Sequence, residues 1–191
     1  MLTTILRELR PAAVLLLAFT IITGVLYPSG VTAVAQAAFP KQANGSLIEQ
    51  KGEVIGSSLI AQRFTSPRYF WPRPSACDYN AASSSGSNLA MSNPALLVAV
   101  KERIALLRAS DPQNTAPIPA DLLLASGSGL DPHISVEAAR WQLARVARER
   151  GLAEAKVAAL VSDVMEGPAF GVLGESRVNV LRLNQALDAL R

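Results

Sequence analysis

The segment at residues 125–135, ASGSGLDPHIS, holds the chain's densest set of residues that can do chemistry. Gly127 and Gly129 permit positive φ, so successive backbone N–H groups could converge on an anion. Ser135 can cap a following helix, whose N-terminus would face the same anion. The candidates for an anion-binding loop are therefore Ser126, Gly127, Ser128 and Gly129.

The same segment allows two other interpretations. In the structural one, it is a tight turn in which Asp131 braces the chain before Pro132. In the catalytic one, Ser128, His133 and Asp131 form a hydrolytic triad, although nothing in their spacing requires triad geometry. We expect His133 to be a hydrogen-bonded loop residue rather than a proton carrier.

An aromatic cluster precedes this loop, and it too has two interpretations. It is either part of the core with cation–π packing, or a surface that docks a partner or the membrane interface. The partner-interface candidates, taken with the loop residues, are Tyr69, Phe70, Trp71, Arg73, Asp131 and His133.

Composition argues against several classes of function. With one cysteine, Cys77, and one histidine, His133, we expect no metal site. The net charge of +3 reflects a small excess of arginine rather than a clustered basic face, so we expect no nucleic-acid partner. None of the four lysines follows a Gly-rich turn, and no G-x-S-x-G elbow occurs. We therefore predict no self-sufficient catalytic site and no tightly bound cofactor.

The N-terminal region predicts a membrane anchor, because residues 11–40 carry no charge. About 20 apolar residues span a bilayer core as a helix. Arg7 and Arg10 precede the run and Lys41 is the first basic residue after it, which places the N-terminus in the cytoplasm. We expect residues 1–10 to be cytoplasmic, 11–34 to cross the membrane, and 35–191 to form one domain outside. The alternative is a cleaved signal peptide, because small residues between 33 and 38 offer cleavage patterns.

Patterning within the domain predicts an α+β fold, or an α/β fold with a small sheet. Residues 44–64 predict a β-hairpin with strands at Leu47-Ile48 and at Val54-Ile55 with Leu59-Ile60, in which Gly56 would weaken or bulge the second strand. Three prolines and a serine-rich stretch predict that residues 65–93 are irregular.

Four helices follow in the prediction. Asn93, Ser135 and Asn179 are expected as N-caps of helices over 94–110, 136–150 and 180–190, and a further helix is expected over 152–166. Gly151 is expected just after the second of them. The first helix carries an apolar stripe, which consists of Leu96, Leu97, Val100, Ile104 and Leu107. The arginines of the second are expected on its solvated faces: Arg140, Arg145, Arg148 and Arg150.

These segments resemble the KdpC family, the small C subunit of the bacterial Kdp potassium-transporting ATPase. The matching stretches are GSSLIAQRF, YFWPRPSA, SSGSNL, ASGSGLDPHIS, RVARERGL and LGESRVNVLRLNQAL, together with the N-terminal LRPAAVLLLAFTIITGVLYP. Ala61, Pro72 and Ser176 depart from the family pattern, in which Gly, Gly and Pro are usual. Pro72 and Ser176 bear on local loop shape.

The resemblance implies an accessory subunit of an ATP-driven, high-affinity potassium uptake pump in the bacterial inner membrane. Its expected partners are a channel-like potassium-translocating subunit, a P-type ATPase subunit and membrane lipid. The family is described as assembling the complex and raising the ATP affinity of the ATPase subunit, so ATP is expected through the complex. Two alternatives stay open, namely a subunit that binds nucleotide directly through residues 126–129 and a secreted hydrolase.

Overall fold

The computed structural model describes residues 2–50 and 52–190, with side chains described from residue 7 onward. The chain forms two compact units, one up to Leu47 and one from Ile48 onward. Lys51, expected in the hairpin turn, lies outside the described residues.

The first unit is a long apolar helix. It comprises α1 (Leu2–Ile21), a π-helical turn (Ile22–Leu26) and α2 (Tyr27–Ala38), followed by the short α3 (Pro40–Ala43). The stretch Arg7–Ala38 has 32 residues and contains an 18-residue window with a mean hydropathy of 2.0, none of which is buried. Its length and composition are sufficient for a membrane span, as the uncharged run predicts.

A two-stranded sheet opens the second unit, with β1 (Leu47–Gln50) pairing with β2 (Glu53–Ser57). The predicted hairpin is therefore confirmed, but Leu59 and Ile60 lie in a turn rather than in the second strand. The turn forms because Ser57 accepts hydrogen bonds from both residues, through its hydroxyl oxygen from Leu59 N–H and through its carbonyl from Ile60 N–H. Gly56 lies within β2, where a Cβ would overlap the side chain of Gln62.

A second, three-stranded sheet has the order β3-β5-β4 and is antiparallel throughout. Its strands are β3 (His133–Ser135), β4 (Met165–Glu166) and β5 (Arg177–Asn179). Small antiparallel sheets combined with helices confirm the predicted α+β class. None of these three strands was predicted, because each has only two or three residues and shows no readable alternation.

Four helices complete the unit, namely α4 (Pro94–Ser110), α5 (Val136–Arg150), α6 (Glu154–Val164) and α7 (Val180–Ala189). The side chains of Asn93, Ser135 and Asn179 accept hydrogen bonds from N–H groups in the first turns, as predicted. Gly151 ends α5 at φ +65°. The predicted end of α6 was wrong, since Met165 and Glu166 leave the helix and form β4.

The core lies where α5, α6 and α7 pack against the sheet and the irregular segment. Its fully buried side chains include Phe70, Ile134, Val146, Val157, Val178, Leu183 and Leu187. The apolar stripe of α4 is only partly covered. Leu107 is buried, but Leu97 and Ile104 are exposed, because no described element covers that face of the helix.

Candidate functional site: the glycine-rich loop and its ion pairs

The loop at residues 125–135 packs against the irregular segment rather than standing free. Ser126 N–H donates to the carbonyl of Pro74 at 3.1 Å, and the carbonyl of Leu130 accepts from Ala61 N–H at 2.9 Å. On the other side, the hydroxyl of Ser84 donates to the carbonyl of Ser128 at 2.9 Å. The loop is thus fixed to residues that precede it by 40 or more positions in the chain.

The two glycines of the loop differ in conformation. Gly129 has φ +69°, and a Cβ there would lie 2.5 Å from Cys77 Sγ and 2.7 Å from the carbonyl oxygen of Ser85. Gly127 does not adopt positive φ, and a Cβ there would meet nothing within 4 Å. The structure therefore uses the permissiveness of Gly129 but not that of Gly127.

Several N–H groups of the loop are engaged within the protein. Gly129 N–H donates to the carbonyl of Ser126 at 3.3 Å, and Leu130 N–H donates to the hydroxyl of Ser128 at 3.1 Å. At the start of α5, Ser135 N–H donates to the carboxylate of Asp121 at 2.7 Å. The carboxylate of Asp121 thus lies at the helix N-terminus, where the sequence suggested an external anion. These contacts favour the structural interpretation of the loop.

Asp131 and His133 belong to a chain of charged and polar side chains that crosses the second sheet. Asp131 Oδ2 lies 3.1 Å from Arg73 Nη1, and its Oδ1 accepts from His133 N–H at 3.0 Å. The Nδ1 of His133 lies 3.6 Å from Asp131 Oδ1, and its Nε2 lies 3.4 Å from Glu166 Oε2. Glu166 in turn contacts Arg177 and Arg182, each at 3.2 Å. Partner candidates Arg73, Asp131 and His133 are therefore brought together.

The electrostatic environment of Asp131 favours its charged form. Burial alone would raise the pKa of Asp131, but the hydrogen bonds from His133 and Arg73 outweigh it and hold the pKa below its ordinary value. A cleft of about 460 Å³ lies over this network and is lined by Arg73, Asp121, Asp131, His133, Ser135 and Arg177 among others. It contains both signs of charge, largely paired with each other.

The arrangement does not resemble a hydrolytic triad. In a triad, the imidazole nitrogen facing away from the aspartate accepts the serine proton. Here Nε2 of His133 faces the carboxylate of Glu166, and the hydroxyl of Ser128 accepts from Leu130 N–H.

The aromatic cluster packs into the core and makes cation–π contacts, which is the first of its two interpretations. Phe70 is fully buried and presents no surface to a partner. The guanidinium of Arg145 stacks 4.7 Å from the ring centroid of Trp71, and that of Arg150 stacks 4.7 Å from the ring of Tyr69. Tyr69 and Trp71 are half-buried beneath these cations.

Arg145 corrects the prediction that the arginines of α5 are solvated, because it is fully buried. Its guanidinium donates to the carbonyls of Pro67 and Tyr69 and to Gln142 Oε1. Burial lowers the pKa of Arg145 to about 10. Sequence reasoning also missed the buried amides Gln142 and Asn184. The one feature of the sequence that indicates their burial is that they lie on the same helical faces as buried apolar residues.

Cys77 lies beside the glycine-rich loop and is partly exposed. Its Sγ is 3.4 Å from the hydroxyl oxygen of Ser75, and this hydrogen bond lowers the pKa of Cys77. Within residues 2–50 and 52–190, no group of three or more His, Cys, Asp and Glu side chains is arranged to hold a metal ion.

Comparison with known proteins gives the family. The KdpC family, described as K+-transporting ATPase, c chain, matches residues 9–189. The chain is 59% identical over 189 residues to the potassium-transporting ATPase KdpC subunit of Methylococcus capsulatus, with 97% of this chain and 100% of that protein covered. The KdpC subunit of Dechloromonas aromatica is 58% identical over 185 residues, covering 95% and 97%. That of Sorangium cellulosum is 57% identical over 189 residues, covering 97% and 100%.

The match runs through both structural units, from the apolar helix to the last turn of α7, and includes the loop and ion pairs described above. The chain therefore belongs to the KdpC family, the c chain of K+-transporting ATPases.

Proposed function

We propose that this chain is a non-catalytic accessory subunit of an ATP-driven potassium uptake pump, anchored in the bacterial inner membrane by its N-terminal helix. It assembles with a potassium-translocating subunit and a P-type ATPase subunit, which are KdpA-like and KdpB-like. It stabilises their complex and raises the ATP affinity of the ATPase subunit without binding ATP itself. The single observation that carries the proposal is the family match over residues 9–189.

The charges that flank the apolar helix support a folded unit outside the cytoplasm. Arg7 and Arg10 lie at its start, and Lys41 is the first basic residue beyond it. Positive charges are retained on the cytoplasmic side of a span. A folded unit on the outer side cannot touch cytoplasmic ATP, so its effect on ATP affinity has to be transmitted through the partner subunits.

The contacts of the glycine-rich loop also favour an indirect effect. The N–H groups of Ser126, Gly129 and Leu130 donate within the protein, and the carboxylate of Asp121 lies at the N-terminus of α5. A nucleotide phosphate at that helix would be repelled by Asp121.

Three chains compared in one strain test the assembly role. The first is intact, the second lacks residues 1–30 and is exported by an unrelated cleaved leader, and the third carries an unrelated apolar helix in place of residues 11–34. We expect the second to be lost from the purified complex, with potassium uptake at low external potassium abolished. Partial recovery in the third would measure how much tethering alone contributes. Normal uptake with the second chain would refute the anchoring role.

Three measurements test the membrane orientation and the effect on ATP affinity. A reporter active only in the cytoplasm, fused after residue 191, should be silent. ATP titrated against the intact chain in detergent should give no binding at millimolar concentration, while addition of the chain to the other subunits should lower their KM for ATP. Saturable binding to the chain alone would support the directly nucleotide-binding alternative.

A further inference from the structure

The connection between β4 and β5 carries the most exposed aromatic side chain in the described part of the protein. Phe170 is 94% exposed, and its neighbours Val172 and Leu173 are 79% and 62% exposed. We call residues 168–173 the Phe170 tip. Large apolar side chains grouped on a protruding loop are typical of interaction surfaces.

The Phe170 tip is braced by its own backbone hydrogen bonds. Ala169 and Leu173 form an isolated antiparallel bridge, with N–H to O distances of 2.8 and 2.9 Å. Gly171 N–H donates to the carbonyl of Pro168 at 3.0 Å, which closes the turn. Preorganisation of this kind lowers the conformational entropy that is lost on binding.

The backbone at Phe170 is unfavourable for the residue it carries. Its φ is +55°, in the left-handed region that glycine or asparagine adopts far more readily than phenylalanine. Because the ring is almost wholly exposed, it gains no packing within the chain in return. An aromatic residue kept at a strained and exposed position indicates a role outside the folded unit.

The charges around the Phe170 tip favour a protein over a lipid bilayer as its binding partner. Residues 165–176, MEGPAFGVLGES, contain two carboxylates and no basic residue. Glu166 is paired with Arg177 and Arg182, whereas Glu175 is exposed and makes no ion pair with any described residue. Loops that insert into anionic bilayers carry basic residues near the apolar tip, and a carboxylate there is repelled. A protein pocket with a basic rim fits better.

We propose that the Phe170 tip inserts into an apolar pocket on another subunit of the pump, with Glu175 facing a basic group on the rim of that pocket. The inference rests on the proposed function, since it requires the complex to exist. Phe170 would be an anchor of the kind that dominates interface energetics, with Val172 and Leu173 excluding water around it.

The test uses competition within intact membranes. Wild-type and variant chains with different epitope tags are expressed together with the partner subunits, and the complex is purified through a tag on the P-type ATPase subunit. We expect Phe170→Asn and Phe170→Gly each to be under-represented at least about tenfold in the purified complex. Met91→Asn is the matched control, because Met91 is 92% exposed elsewhere on the same unit, and it should be recovered equally with wild type.

The Phe170 variants also test folding, and Glu175→Gln tests the role of charge. Both Phe170 variants relieve the strain at positive φ, so their thermal unfolding in detergent should occur at or above the wild-type temperature. Glu175→Gln should reduce recovery by a smaller factor that vanishes at high salt, since an exposed ion pair is screened.

Four results would overturn the inference. Equal recovery of Phe170→Asn and wild type would show that the tip does not bind a subunit. Stronger quenching by brominated lipids of Phe170→Trp than of Met91→Trp, in the purified chain alone, would assign the tip to the bilayer. Loss of self-association in Phe170→Asn would assign it to a second copy of the chain. Destabilised Phe170→Gly would mean the ring supports folding. Failure of the wild-type chain to co-purify would instead refute the proposed function.

Discussion

The carboxamide of Asn184 makes both of its hydrogen bonds with the backbone of Phe70, accepting from the N–H and donating to the carbonyl, each at 2.9 Å. Gln142 makes the same pair of hydrogen bonds with Trp71, accepting from its N–H at 2.8 Å and donating to its carbonyl at 3.1 Å. The irregular segment at Phe70 and Trp71 is therefore paired on both sides, by α7 and by α5, as an interior strand would be.

Asn184→Ala should destabilise the protein by about 2–4 kcal/mol, because it leaves the N–H and carbonyl of Phe70 buried without partners. Phe70 is fully buried, so water cannot replace the lost carboxamide. Thermal or urea unfolding of the full chain in detergent measures the change. Gln185→Ala, one position along on the same helix and only half-buried, is the control and should change stability by less than about 0.5 kcal/mol. Similar losses in both variants would contradict the proposed pairing.

Alanine substitutions at Gly127, Gly129 and Gly86 should differ in how much they destabilise the protein. Gly127→Ala should be nearly neutral, because a Cβ there meets nothing within 4 Å. Gly129→Ala should cost about 1–3 kcal/mol, from positive φ and from overlap with Cys77 and Ser85. Gly86→Ala should cost a similar amount, because its Cβ would lie 2.8 Å from the carbonyl oxygen of Gly127. Unfolding temperatures of the three variants measure the order.

The Gly127→Ala variant separates structure from function in the loop. If the loop only braces the chain, Gly127→Ala should retain full recovery in the pump complex and the full effect on the KM for ATP. A folded Gly127→Ala variant that lost either property would contradict the structural interpretation and support a ligand or partner at the loop.

Local chemistry explains which parts of the fold were predictable. Asn93, Ser135 and Asn179 were identified as N-caps because a short polar side chain before an apolar run carries its own geometric reason. Periodicity identifies the apolar stripe of α4, to which Leu97 and Ile104 belong. Whether anything covers that stripe depends on residues distant in sequence.

The candidate site was less predictable because its contacts are long-range. Arg145 is expected in solvent because it lies among arginines near a helix C-terminus. Its acceptors at Pro67 and Tyr69 lie in a segment with no pattern of its own, so the sequence does not reveal them. The pairing of His133 with Glu166 depends on β3 and β4 sharing β5 as neighbour. Strands of two or three residues leave no periodic signal from which that could be foreseen.

Asp131 should make the protein sensitive to acid. Its folded-state pKa lies below the ordinary value of 3.8, so the unfolded chain binds more protons between the two values and stability rises with pH there. The contribution is complete above the unfolded-state pKa and is lost as pH falls through the folded-state pKa. Asp131→Asn should cost about 1–2 kcal/mol at pH 7 and progressively less below about pH 4.

The free energy of unfolding, measured for wild type and for Asp131→Asn between pH 7 and pH 2, shows whether their difference shrinks as the pH falls. Asp163→Asn serves as the control, because Asp163 is exposed and forms no ion pair within the part of the chain that the structure describes. A constant difference between wild type and Asp131→Asn over the whole range would contradict the assigned contacts with His133 and Arg73.

Cys77 should react with alkylating reagents at lower pH than an ordinary thiol. The hydrogen bond from the hydroxyl of Ser75 stabilises the thiolate, and it lowers the pKa of Cys77 below 9.0 against a smaller opposing effect of burial. Because Cys77 is the only cysteine in the sequence, the rate of iodoacetamide incorporation against pH reports on it directly. Half-maximal rate should fall below pH 9.0, Ser75→Ala should move it upward, and Ser75→Thr should retain it because the hydroxyl is kept. Equal profiles for wild type and Ser75→Ala, in variants with unchanged unfolding temperature, would show that the hydroxyl has no part in setting the reactivity of the thiol.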